Sequence, residues 1–91
     1  MVIEDQLKDN LLETIRDGFG NTASKVKIVS IDVDEDLMEI QIVVGIETKA
    51  TPEALANKYY SLTGRVQDTL GSKWKRYFPI ITPRFNRNQH A

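Results

Sequence analysis

The chain has 91 residues, of which 41% are hydrophobic and 27% charged, an ordinary globular composition that excludes a disordered chain and indicates one small domain. It contains no cysteine, which excludes disulfides, thiol nucleophiles and thiolate or iron–sulfur ligation. The net charge of −1 conceals a segregation: residues 1–53 carry twelve acids against five bases, and residues 54–91 carry seven bases against one acid, Asp68. Such asymmetry bears on partners rather than on fold.

Residues 2–18 read as a helix, because Ile3, Leu7, Leu11 and Ile15 recur every four positions while Asp5, Lys8, Asp9, Glu13, Arg16 and Asp17 fill the other face. Gly18 and Gly20 are placed to end it. From residue 25 to 33 the period changes to two, with Val29, Ile31 and Val33 alternating with Ser30 and Asp32. Asp34, Glu35 and Asp36 make a turn. Residues 37–48 alternate again, Met38, Ile40, Ile42, Val44 and Ile46 to one side and Glu39, Gln41, Val43, Gly45 and Glu47 to the other. An antiparallel hairpin follows. Strict alternation leaves Val26, Ile28 and Val43 on the far face of the sheet, an open and partly apolar surface that invites a partner or a second copy.

Thr51-Pro52-Glu53 is a helix start: a capping hydroxyl, a proline with the right φ, and an acid at the positive end of the dipole. Leu55, Tyr59, Leu62, Val66 and Leu70 mark its core face, Gly64 suggests close packing within it, and Gly71 stops it. Residues 78–82 form a third strand between Pro79 and Pro83, which suits a sheet edge because proline supplies no ladder donor. The expected fold is therefore α+β, a single two-layer domain over residues 1–91 in the order α-β-β-α-β, with both helices on one face of a three-stranded sheet and a tail at residues 86–91.

Little here suggests catalysis. Asp32, Asp34 and Asp36 have the spacing that opens a calcium loop, but Leu37 stands where glycine is required and Val43 where the closing Glu belongs. A solvated turn, or an acidic docking surface for a basic partner, is the better account. His90 is the only histidine and lies next to the last residue, where nothing orients it as a base. Gly18-Phe19-Gly20 lacks the preceding strand and following Lys-Ser/Thr of a phosphate loop. No metal, cofactor or catalytic residue is expected.

The basic third interleaves cations with rings: Trp74, Lys75, Arg76, Tyr77 and Phe78, then Arg84, Phe85 and Arg87. Rings there serve as core anchors, as contacts at a protein interface, or as stacking platforms beside phosphate-binding cations. Tyr59 lies on the apolar stripe and Tyr60 faces away from it.

The layout is similar to BolA-like and type II KH domains, without the Gly-x-x-Gly loop of KH domains or a histidine in the body for cluster ligation. The chain also resembles small bacterial proteins that accompany HEPN-type partners. The matching segments are Ile31-Asp32-Val33-Asp34-Glu35-Asp36, the helix from Leu62 to Leu70, and Phe78-Pro79-Ile80-Ile81, within residues 26–82. That resemblance implies an accessory or neutralising subunit. The expected function is a non-catalytic protein–protein interaction module, self-associating or part of a larger assembly, with Asp34, Glu35, Asp36 and the aromatic C-terminal third as contacts. The alternative is a small nucleic-acid-binding domain using the basic third. No apolar run is long enough to cross a membrane and no signal-peptide pattern follows Met1, so a cytoplasmic location is expected.

Overall fold

Every second residue of the central strand is apolar, and the rest of the molecule is arranged to cover that side. The computed structural model describes residues 3–86, with the backbone alone at Asn86. Helix α1 spans Asp5–Phe19, strands β1 and β2 span Lys25–Asp34 and Glu39–Glu47, helices α2 and α3 span Pro52–Tyr60 and Leu62–Leu70, and strand β3 spans Phe78–Asn86. Single 3-10 turns at Gly20–Thr22 and Ser72–Trp74 follow α1 and α3. The fold is α+β, a three-stranded mixed sheet with helices on one face. β2 is central, antiparallel to β1 and parallel to β3.

Ile40, Ile42, Val44 and Ile46 of β2 are completely or almost completely buried against Leu11, Ile15 and Phe19 of α1 and Leu62 and Val66 of α3. α1 ends at Gly20, whose φ of 54° with ψ of −132° is open to glycine and strained for a residue bearing a Cβ. Gly18 remains inside the helix, buried. Its role is proximity: a Cβ there would lie 2.5 Å from Leu62 Cδ1. Gly64 has open space around it, contrary to the expectation of close packing.

Residues 52–70 form two helices rather than one. Thr51 caps α2 by accepting from the Ala54 amide at 3.3 Å, as its sequence predicts. Ser61 interrupts the run, its hydroxyl donating to the Lys58 carbonyl at 3.2 Å. Its dihedrals stay in the right-handed region, so the apolar stripe from Leu55 to Leu70 continues across the bend.

The largest departure from strict alternation is a β-bulge. Ile28 pairs with Val44 and Ser30 with Val43, leaving Val29 as an extra residue in β1. The bulge resets the side-chain alternation by one. Val26 and Ile28 therefore lie on the core face together with Ile31 and Val33, opposite Ile46, Val44, Ile42 and Ile40. This corrects the placement of Val26 and Ile28 on the far face. Val29 is the residue sent outward, 47% exposed. β3 is also longer than residues 78–82 and runs through Pro83 to Asn86, so residue 86 belongs to the sheet and not to a tail.

Candidate interaction surface

The helices leave the second face of the sheet uncovered, and ladder register fixes which side chains share it. Across the strands the rows read Asp34–Glu39–Phe78, Asp32–Gln41–Ile80, Ser30–Val43–Thr82, Lys27–Gly45–Arg84 and Lys25–Glu47. Acids thus gather at the hairpin end and bases at the other, with Glu47 the exception. Between them lie Val29, Val43 and Ile80. Lys27 and Val29 fold across the bare backbone of Gly45, where a Cβ would meet the Lys27 chain at 3.2 Å and Val29 Cγ2 at 3.4 Å. Lys27 covers apolar surface with its stem and keeps its ammonium in water.

Lys25 and Asp34 stand nine residues apart on one strand, about 30 Å at the usual rise. That is several Debye lengths at physiological salt, roughly 8 Å each, so the two ends do not neutralise each other within one molecule. They are available to something else.

At the acidic end, Asp34 Oδ1 accepts from the Leu37 amide at 3.0 Å, which tightens the turn and fixes that carboxylate. Met38 closes the turn at φ 54°, and its carbonyl accepts the Phe78 amide at 2.9 Å, which starts β3. Glu35 and Asp36 are exposed. Among the described residues, no group of three or more His, Cys, Asp or Glu is placed to hold a metal ion.

The aromatic residues of the C-terminal third separate. Trp74 is 2% exposed and belongs to the core, stacked edge-on against Tyr77 at 5.2 Å, so it offers no surface to a partner. Tyr77 is half-buried against the same core. Phe78 and Phe85 are exposed, at 54% and 48%, but lie on opposite faces of β3 by the alternation of the strand. Phe78 shares the open face, next to Glu39. Phe85 is on the helix side, where it lines an apolar hollow of about 350 Å3 with Leu55, Tyr59, Tyr60 and Pro83. Lys75 and Arg76 are exposed in the turn before β3, and Lys75 borders a shallow hollow that also holds Asp68. Arg84 is exposed on the open face, six residues from Phe78. Arg87 and His90 lie outside the described residues.

The interleaving of cations and rings therefore does not survive folding as one surface. Lys25, Lys27 and Val29 were not singled out by sequence. The only signal for them was their position in β1, and the bulge that decides which way they point has no local signature.

The two margins of the sheet differ. The Phe78 amide bonds back to β2, so residues 79, 81, 83 and 85 direct their backbone groups outward. Pro79 and Pro83 occupy two of those positions and supply no donor, and the Ile81 carbonyl is taken by the Tyr59 hydroxyl. Strand addition at β3 is blocked. β1, at the other margin, contains no proline.

No family model, curated protein or solved structure matches the chain.

Proposed function

We propose that this protein is a non-catalytic protein–protein interaction module, a small subunit of a homo- or hetero-oligomeric assembly, which binds through the uncovered side of its sheet. The observation that carries this is the composition of that face: Val29, Val43, Ile80 and Phe78 exposed or half-exposed between an acidic end and a basic end. An apolar centre flanked by charge suits a protein surface, the centre contributing burial and the flanks register and orientation. The accessory-subunit role implied by the resemblance over residues 26–82 is a function of this kind.

Nucleic acid is the weaker reading. Trp74 is buried, and Phe78 sits beside Glu39 and Asp34, where a phosphate backbone would be repelled. No helix among the described residues is long and apolar enough to cross a membrane.

The test replaces the centre of the face. Val43→Arg should leave the melting temperature nearly unchanged and abolish capture of a partner by the open face. Capture that is indifferent to Val43→Arg and Ile80→Arg, or salt-sensitive binding of single-stranded oligonucleotides, would overturn the reading.

A further inference from the structure

Resting on the interaction-module reading, we infer that the partner at the β1 margin is a second copy of the chain. It pairs antiparallel with β1 about a two-fold axis between Val29 and Ser30, making one continuous six-stranded sheet.

The argument starts from β1 itself. Read outward from the Val29–Ser30 bond, the strand is self-complementary: Val29 matches Ser30, Ile28 matches Ile31, Lys27 matches Asp32, Val26 matches Val33, and Lys25 matches Asp34. Antiparallel pairing with its own copy places each Lys opposite an Asp on the open face and each aliphatic residue opposite an aliphatic residue on the core face. The bulge is what makes the faces agree. Because Val29 is extra, Ile28 and Ile31 share the core face although they are three apart. A bulge ordinarily spoils an edge for pairing. A second copy carries the same bulge at the symmetry-related position, so the ladder resumes on both sides. An unrelated strand has no such match.

The ends agree as well. Beside the start of β1 lies a concavity of about 650 Å3 lined by Arg16, Gly20, Ala23, Lys25, Lys27 and Glu47, among others. Continuing the pairing beyond Asp34 brings the turn with Asp36 of the second copy alongside Ala23 and Ser24, at this concavity. An acidic turn thus comes beside Arg16 and Lys25, with Glu47 the one acid in that lining. Lysines and aspartates of β1 that stand too far apart to pair within one molecule are brought opposite each other in the pair. The interface is isologous, so it closes at two copies and makes no open array. Prolines at β3 prevent the same growth from the other margin.

The experiment is charge exchange read by light scattering behind a sizing column. Wild type is expected as a dimer. Lys27→Glu and Asp32→Lys each set like charges opposite twice in the dimer and should raise its dissociation constant roughly tenfold or more. The double variant K27E/D32K should restore it, and an equimolar mixture of the two single variants should dimerise at a concentration where each alone is monomeric. The variant K27C/D32C should form an intermolecular disulfide under mild oxidation, because directly opposite strand residues fall within bridging distance and residues on stacked sheets do not. Both side chains are exposed, so folding should persist, checked by circular dichroism. A monomeric wild type, single variants that stay dimeric, or a mixture that stays monomeric would overturn the inference. Loss of association by Val43→Arg alongside indifference to these exchanges would leave the interaction-module reading standing without the β1 dimer. A monomer with no Val43-dependent partner would remove both.

Discussion

Gly18 of α1 and Leu62 of α3 meet with no room for a methyl group between them, 2.5 Å separating the Leu62 Cδ1 from where a Cβ would stand. Leu62 is completely buried and cannot swing aside without displacing the core. Gly18→Ala should therefore destabilise by about 1–3 kcal/mol, although alanine is the better helix former. Gly64 is the opposite case: exposed, inside α3, with nothing within 4 Å of a built Cβ. Gly64→Ala should stabilise by about 0.5–1 kcal/mol through the unfolded state. Urea titration of both variants checks the pair, and equal signs would contradict the packing described.

Trp74 and Phe78 test how the aromatic run divides. Trp74→Ala removes a buried ring and its edge-on contact with Tyr77, and should cost about 3–5 kcal/mol, a large part of the stability of a domain this small. Phe78→Ser should change stability far less and weaken capture of a partner by the open face instead. Thermal unfolding and partner capture on the two variants separate the roles.

The elements of the fold were legible because their causes are local. Ile3, Leu7, Leu11 and Ile15 carry a helical period, Thr51-Pro52 starts a helix at the position observed, and Pro79 with Pro83 place β3 at an edge. What escaped was long-range. Gly18 reads as a helix stop until Leu62, distant in sequence, is brought against it. Trp74 reads as a core anchor first and as a partner contact second, and its neighbours Lys73 and Lys75 do not decide between them because they are solvated either way. The bulge at Val29 follows from the need to bury Val26, Ile28, Ile31 and Val33 together, a demand that comes from the helices beneath. The binding surface inherits that blindness, because a one-residue slip exchanges its members with the core.

Tyr59 secures α2 to β3 through a hydroxyl that donates to the Ile81 carbonyl. Tyr59→Phe should cost about 0.5–1.5 kcal/mol and free that carbonyl at the β3 margin. Pro79 and Pro83 still withhold donors there, so the variant should lose stability without gaining a tendency to aggregate. Light scattering during thermal unfolding distinguishes this from an edge that Tyr59 alone protects, in which case aggregation would precede unfolding.

Salt should act on association in a definite direction. The pairs Lys25–Asp34 and Lys27–Asp32 of a β1 dimer lie on the exposed face, where screening weakens each of them, and each occurs twice. Raising ionic strength from about 0.05 M to about 0.5 M shortens the Debye length from roughly 14 Å to roughly 4 Å. The dimer dissociation constant should rise accordingly. Backbone ladder bonds and the matched Val26–Val33 and Ile28–Ile31 pairs are insensitive to screening, so the dimer weakens rather than vanishes. Burial of Val43 and Ile80 between stacked sheets would respond the other way, strengthening in sulfate as apolar contacts do. Mass measured across sodium chloride and ammonium sulfate therefore assigns the contact to the margin of the sheet or to its face, and a mass that grows with salt would exclude the charge-matched β1 pairing.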